Sequence, residues 1–156
     1  MTRMSVKLDE IDRRILRALQ KDATLSQRDL ADRVGLSQNA CWRRVNRLKD
    51  EKVIAGYTVR LDRDAVDLGL TVFVLIRTRQ HSADWLKTFR REVASIPNVI
   101  DMFRIAGDYD YILKVQVADM NGFDQVYQRM IASVDLDTVT SLITMEAIAE
   151  DRDLPL

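Results

Sequence analysis

Residues 25–48 read LSQRDLADRVGLSQNACWRRVNRL, and they decide the fold of the N-terminal part of the chain. Ser26 is placed to cap a short helix that ends at Val34, and Gly35 follows where a left-handed C-terminal residue is expected. Ser37 is then placed to cap a second helix. Two short helices separated by a tight turn are typical of a helix-turn-helix, whose second helix enters the major groove of DNA.

The second of these helices has two unlike faces. Its apolar stripe consists of Cys41, Val45 and Leu48. The opposite face is polar and basic, as a surface that reads base edges and phosphates requires. The residues that we expect to contact DNA, on and beside this face, are Ser37, Gln38, Asn39, Trp42, Arg43, Arg44 and Arg47.

Side-chain chemistry assigns roles to the polar residues of this helix. Gln38 and Asn39 carry amides of the type that pairs with adenine, and Arg43 is suited to guanine or to a phosphate. Arg47 has the character of a phosphate contact. The helix therefore carries both base-reading and backbone-holding side chains.

Three residues of the same helix have competing interpretations. Arg44 either contacts DNA or forms an internal salt bridge with Asp29 or Asp32. Trp42 either touches DNA or packs against the first helix, and packing is favoured because large aromatic side chains usually bury most of their area. Cys41 lies on the apolar stripe, which favours a core role over a redox sensor.

Charge is distributed unevenly along a chain that is neutral as a whole. The 156 residues contain 24 basic and 24 acidic side chains. Residues 1–60 hold 14 basic and 8 acidic residues, a net charge of +6, and the remainder holds 10 basic and 16 acidic residues, a net charge of −6. The asymmetry indicates a segment that binds a polyanion, joined to a domain that does not.

Composition excludes several classes of protein. A hydrophobic content of 47% is enough for a core, yet no apolar run approaches the roughly 18 residues of a membrane span. The first residues lack the apolar stretch of a signal peptide, so we expect a cytoplasmic, nucleoid-associated protein without a membrane partner. One cysteine and one histidine leave no disulfide framework and no zinc cluster, and we expect no metal, no cofactor and no catalytic residue.

Hydrophobic periodicity predicts the elements on either side of the helix-turn-helix. A first helix spans about Asp9 to Lys21, and a strand spans Tyr57 to Leu61. The elements expected beyond Gly69 are a strand at Leu70–Ile76, a helix at His81–Ile96 that begins at His81, strands at Val99–Ile105 and Tyr109–Val117 joined by a turn at 106–108, a helix at Asn121–Ser133 and a strand at Thr138–Ile148. The order βαββαβ predicts a ferredoxin-like domain, and the whole chain an α+β fold with an N-terminal winged helix-turn-helix.

These elements predict a domain organisation and a self-association. The DNA-binding domain spans residues 1–56, a hinge strand and linker 57–69, the ferredoxin-like domain 70–150 and a tail 151–156. The strand at Leu70–Ile76 is apolar on both faces, although helices cover only one face of such a sheet. A second copy packed on the other face is the simplest explanation, so we expect a homodimer.

Two separate motifs carry a family resemblance that covers nearly the whole chain. The first runs S-Q-x-D-L-A-x-x-V-G-L-S from Ser26 and R-R-V-x-R-L-x-x-E-x-V-I-x-G-Y through Tyr57. The second is Gly-Asp-Tyr-Asp at residues 107–110. Together they resemble the Lrp/AsnC family of prokaryotic transcriptional regulators. Residues 69–76, the pair at 81–82 with Trp85, and residues 107–120 further resemble the cysteine-responsive branch of that family.

The resemblance implies an amino-acid effector, most simply L-cysteine, bound where dimers meet, and dimers that assemble into octamers. The implied effector-binding residues are Ala106, Gly107, Asp108, Tyr109, Asp110, Thr140 and Ser141. The chemistry is suitable, because a glycine lets backbone N–H groups approach a carboxylate and an aspartate accepts hydrogen bonds from an ammonium group. The competing interpretation is that Gly107 serves only a hairpin turn and that Asp108 and Asp110 are solvated.

Two other functions use the same folds. Siroheme decarboxylases have a similar two-domain fold, but their chemistry requires proton donors around a large pocket. His81 is the one histidine here, which argues against such an enzyme. An architectural protein would wrap DNA without an effector, and the acidic second half of the chain argues against it. A DNA-binding regulator that responds to an amino acid is the favoured hypothesis.

Overall fold

The computed structural model describes residues 6–80 and 82–156. The chain divides into two compact units, one formed by residues 1–59 together with 149–156 and the other by residues 60–148. The first boundary lies near the expected hinge. The last eight residues return to the N-terminal unit.

Three helices form the first unit: α1 (Glu10–Lys21), α2 (Gln27–Val34) and α3 (Gln38–Asp50). Each begins after a side chain that accepts a backbone N–H, as the sequence predicted for the caps Asp9, Ser26 and Ser37. Gly35 ends α2 with φ 71°, the left-handed conformation that glycine adopts without strain. The local sequence thus fixes both ends of the turn between α2 and α3.

The core of this unit joins all three helices. Its fully buried members include Ile15, Ala31, Cys41 and Leu48, each 0% exposed. The expected core position of Cys41 is confirmed, and burial raises the pKa of its thiol, which disfavours the reactive thiolate.

The C-terminal segment 149–156 packs on α1. The backbone oxygen of Leu156 accepts from Arg17 Nε at 2.6 Å, and the N–H of Leu154 donates to Gln20 Oε1 at 2.7 Å. Leu156 also packs against the core of the first unit. These residues are therefore an integral part of the helical unit.

The second unit contains β1 (Leu70–Arg77), α4 (Ala83–Ala94), β2 (Val99–Arg104), β3 (Tyr111–Val117), α5 (Met120–Ser133) and β4 (Thr138–Ile143). The four strands form one antiparallel sheet in the order β2-β3-β1-β4. The α+β fold and the ferredoxin-like βαββαβ order expected from the sequence are confirmed.

Alternation along the strands separates the two faces of the sheet. On one face Val72, Val74 and Ile76 are 0% exposed and pack with Phe89 of α4 and Val126 of α5. The opposite face, which we call the outer sheet face, carries Phe73, Leu75, Phe103, Ile112 and Leu142. Two of its side chains, Phe103 and Leu142, are 58% and 49% exposed. In the part of the chain that the structure describes, the centre of this apolar face is partly buried and its two sides are exposed.

Four expectations about the elements need correction or qualification. Residues 57–61 form no strand, although their side chains alternate, and Val59 is 77% exposed. The last strand ends at Ile143 rather than Ile148, and β3 begins at Tyr111 rather than Tyr109. Ser82 caps α4 by accepting the N–H of Trp85, whereas His81 lies outside the described residues.

Candidate functional site

The outer surface of α3 presents most of the residues expected to contact DNA. Gln38, Asn39 and Arg43 are exposed. The hydroxyl oxygen of Ser37 caps α3, since it accepts the N–H of Ala40 at 3.3 Å. These four residues lie at the N-terminal end of α3, the part of a recognition helix that reaches base edges.

Trp42 is 52% exposed, so the expectation that most of its area is buried is not met. It lines a cleft of about 220 Å³ together with Leu19, Leu25 and Tyr57. The ring of Tyr57 in turn lies 5.2 Å from Lys49 Nζ. An aromatic side chain is thus available at the surface of α3.

Arg44 forms an internal salt bridge, but with partners that the sequence did not indicate. Its Nη1 lies 2.6 Å from Asp9 Oδ2 and 2.8 Å from Asp12 Oδ1, both in the capping box of α1. Neither Asp29 nor Asp32 is its partner, and Asp29 instead accepts from the hydroxyl of Ser26. The physical reason is that α1 approaches α3 at its acidic first turn.

Arg47 is also held from within. Its Nη2 lies 2.5 Å from Asp12 Oδ2, while its side chain remains 43% exposed. The pKa of Asp9 falls from 3.8 to about 2, because the backbone N–H of Asp12 and then the guanidinium of Arg44 donate to its carboxylate. A surface cleft of about 460 Å³ beside these ion pairs is lined by Asp9, Leu36, Ala40, Arg43, Arg44 and Arg47.

The loop at 106–110 is attached to the end of β1 through Asp110. The N–H of Asp110 donates to the carbonyl oxygen of Ile76, and its Oδ2 accepts the N–H of Thr78, both at 2.8 Å. Gly107 has φ 131°, which favours glycine. Ala106, Gly107 and Asp108 are exposed. The loop has a fixed base and an open tip.

The last strand contributes one of its two expected residues to this loop. The hydroxyl of Tyr109 lies 3.1 Å from Thr140 Oγ1. Thr140 is opposite Leu75 and shares the outer sheet face, whereas Ser141 is opposite the buried Val74. Because successive strand residues point to opposite faces, the structure brings Thr140 and not Ser141 to Tyr109.

Sequence reasoning missed a charged cluster at the same end of the sheet. Asp137 Oδ2 lies 3.0 Å from Arg77 Nε, and Asp137 Oδ1 lies 2.6 Å from Arg79 Nε. Burial raises the pKa of the Asp137 carboxyl, but the hydrogen bond from Arg77 and the charge of Arg79 outweigh it, so the pKa is lowered. Only the pairing of Arg77 with Thr138 brings these residues together, and no local motif signals it.

Neither a metal site nor a membrane span is present in the part of the chain that the structure describes. Across residues 6–80 and 82–156, no three histidine, cysteine, aspartate or glutamate side chains are grouped so that they could hold a metal ion. None of the described helices is both long enough and apolar enough to cross a bilayer.

A capped helix-turn-helix and a ferredoxin-like domain with a rigidly based glycine loop define a two-domain regulator that binds DNA and a ligand. Family models agree with both parts: residues 8–55 match the winged helix-turn-helix DNA-binding model, and residues 71–154 match the Lrp/AsnC ligand binding domain. The chain therefore belongs to the Lrp/AsnC family of DNA-binding transcriptional regulators.

Individual relatives extend over almost the whole chain. The DNA-binding transcriptional activator DecR of Escherichia coli is 45% identical over 96% of this chain and 99% of its own. An AsnC family transcriptional regulator from Agrobacterium tumefaciens has a TM-score of 0.92 at 44% identity, over 95% of this chain and 97% of that one. A transcriptional regulator from Neisseria meningitidis, solved with L-Met, has a TM-score of 0.90 at 30% identity, over 96% and 97%. These relatives are named as regulators rather than as enzymes.

Proposed function

We propose that this regulator binds specific DNA sequences through α3 and responds to an amino acid, L-cysteine, at the loop 106–110. The observation that carries the proposal is the contact of Tyr109 with Thr140, which places the loop beside the last strand. The protein acts in the cytoplasm, on the nucleoid, as a homodimer that assembles into octamers, as the family resemblance implies.

DNA recognition is assigned to the exposed N-terminal end of α3. Gln38 and Asn39 read adenine, and Arg43 reads guanine or holds a phosphate. The net charge of +6 over residues 1–60 strengthens binding to any sequence, since phosphate contacts supply most of the nonspecific affinity. Specificity therefore depends on the side chains of α3, whereas general affinity depends on the charge of the whole segment.

Effector recognition is assigned to the tip of the loop and to its neighbours. Backbone N–H groups beside Gly107 hold the carboxylate of the amino acid, and Asp108 with the free oxygen of Asp110 holds its ammonium group. Thr140 contributes through Tyr109. L-Cysteine is favoured by the branch resemblance, and the relative solved with L-Met bound another sulfur-containing amino acid.

Dimerisation is assigned to the outer sheet face. Phe73, Leu75 and Ile112 are partly buried at its centre, and Phe103 and Leu142 are exposed at its sides. Exposed apolar patches of this kind mark protein–protein contacts. A second copy of the same face is self-complementary, as a twofold dimer requires.

A thermal-shift screen of the amino acids under reducing conditions tests the effector assignment. A ligand of the native state at one hundred times its Kd stabilises by about 2.7 kcal/mol. We expect L-cysteine to raise the melting temperature and to change affinity for operators selected from random-sequence DNA. Stabilisation by leucine, asparagine or lysine, without an effect of cysteine, would overturn the assignment. Absence of sequence preference in the selection would overturn the DNA assignment.

A further inference from the structure

The side chain of Asp12 connects the first turn of α1 to the recognition helix α3. Asp12 is 0% exposed, and both oxygens of its carboxylate accept hydrogen bonds. Oδ1 accepts from Arg44 Nη1 at 2.8 Å, and Oδ2 accepts from Arg47 Nη2 at 2.5 Å and from the backbone N–H of Asp9 at 3.1 Å. One buried carboxylate therefore fixes two arginines of the surface that faces DNA.

Both arginines have N–H donors that these contacts do not use. A guanidinium group has five N–H donors, and the described contacts use only Nη2 of Arg47 and only Nη1 of Arg44. The side chain of Arg47 is 43% exposed, and that of Arg44 is 29% exposed. Both line the cleft of about 460 Å³ that Arg43 also lines. The cleft thus gathers three guanidinium groups with unused N–H donors.

From this geometry we infer that Asp12 is a positioning residue, which holds Arg44 and Arg47 so that their remaining donors bind a backbone phosphate of DNA seated in the cleft. The inference rests on the proposed DNA binding and assigns a phosphodiester site to it. A guanidinium fork matches two phosphate oxygens at once. Fixing the long side chains before DNA arrives removes part of the entropy that binding would otherwise cost.

Burial of Asp12 explains why the ion pairs persist when DNA binds. A buried carboxylate that loses its partner is strongly destabilising, so exchange of Asp12 for a phosphate is disfavoured for either arginine. The phosphate must therefore take the donors that Asp12 leaves unused. Asp9 lines the same cleft, but its Oδ2 is already bound by Arg44.

Positioning and simple electrostatics make opposite predictions for Asp12→Asn. Glu10→Gln is the matched control, because it removes the same charge from the first turn of α1 and breaks only the ion pair with Arg17 at 3.0 Å. If charge alone mattered, both variants would bind DNA slightly more tightly, since each loses a group that repels phosphate.

The measurement is the affinity of the full chain for a labelled duplex of mixed sequence, by fluorescence anisotropy, over a range of KCl concentrations without amino acids. Each phosphate contact contributes about 0.9 to the slope of log affinity against log salt. We expect Asp12→Asn to bind roughly tenfold more weakly with a slope smaller by about one to two, and Glu10→Gln to keep the wild-type slope. Asp12→Asn that matches Glu10→Gln in affinity and slope would overturn the inference.

Arg47→Lys tests the phosphate site if Asp12→Asn does not fold. Lysine keeps the charge and its partner Asp12 but lacks the second arm of the guanidinium fork. We expect unchanged thermal unfolding and a slope smaller by about one, and a wild-type slope would count against the phosphate site. If the wild-type chain itself does not bind the duplex, the proposed DNA binding fails. If it binds and the variants behave as the control, only the positioning role fails.

Discussion

The hydroxyl of Tyr109 and Oγ1 of Thr140 lie 3.1 Å apart, which joins the loop between β2 and β3 to the edge strand β4. β2 and β4 occupy opposite ends of the order β2-β3-β1-β4. The contact therefore spans the outer sheet face near the loop. We therefore expect a ligand that moves the loop to move the strand as well.

Thr140→Ala is expected to weaken the response to the effector, because it removes the partner of Tyr109. Loss of one hydrogen bond of this kind corresponds to about 0.5–1.5 kcal/mol, or several-fold in effector Kd. Titration calorimetry with L-cysteine measures the change. Ser141→Ala is the matched control, since Ser141 lies on the other face of the same strand. An equal loss in both variants would contradict the assignment of Thr140.

Asp110→Asn is expected to abolish the effector response and to leave the loop in place. An asparagine oxygen still accepts the N–H of Thr78, whereas the charge that attracts an ammonium group is lost. Asp110→Ala would additionally leave that N–H without its acceptor, so it should lower thermal stability as well. DNA affinity without effector should match wild type in Asp110→Asn. Retained stabilisation by the amino acid in this variant would argue against an ammonium site at Asp110.

Gln38→Ala and Arg43→Ala are each expected to cost about 1–3 kcal/mol in operator affinity and to relax the preference for one base pair. Both side chains are exposed near the start of α3. Competition binding against single-base operator variants measures the preference. Arg91→Ala is a control of equal charge change to Arg43→Ala in the second unit. Unchanged base preference in both α3 variants would rule out direct reading by this end of the helix.

Phe103→Glu is expected to dissociate dimers, because it places a charge among apolar side chains of the outer sheet face. Phe103 is 58% exposed in the single chain, so the substitution costs the monomer little. Sedimentation velocity over a range of concentrations reports the oligomeric state. Ile131→Glu introduces the same charge on α5, at a side chain that is 39% exposed, and should leave the assembly intact. Dimers that survive Phe103→Glu would place the interface elsewhere.

Acid should destabilise the DNA-binding unit partly through Asp9. The pKa of Asp9 is about 2 in the folded chain against 3.8 for the free side chain. Its contribution to the free energy of unfolding is therefore fully present above pH 3.8 and is lost as the pH falls towards 2. In Asp9→Asn this part of the pH dependence should disappear. Urea unfolding followed by Trp42 fluorescence in a Trp85→Phe background measures it. An Asp9→Asn profile identical to that of the wild type would refute the role of Asp9.

The helix-turn-helix was predictable because its signals are local. Asp9, Ser26 and Ser37 precede apolar stripes with helical spacing, and Gly35 supplies the left-handed turn. Caps and periodicity act within a few residues, so tertiary structure need not be known. The order of strands and helices in the second unit followed from the same kind of pattern.

Partners across the fold were not predictable in this way. Tyr57–Leu61 alternates like a strand, but a strand also needs a neighbour for its N–H and C=O groups, and residues 6–80 and 82–156 provide none there. The salt bridge considered for Arg44 as an alternative to DNA contact named acids of α2, because sequence distance does not reveal that α1 meets α3 at Asp9 and Asp12. Thr140 and Ser141 were grouped, although neighbouring strand residues point apart.

The segment that packs on α1 sets the order in which a newly made chain becomes complete. Residues 1–59 leave the ribosome first, but the hydrogen bond from Arg17 to Leu156 spans 139 residues and waits for the whole second unit. A chain interrupted during synthesis therefore lacks part of the surface on which α1 rests. The helical unit is therefore completed only after residues 60–148 have been made.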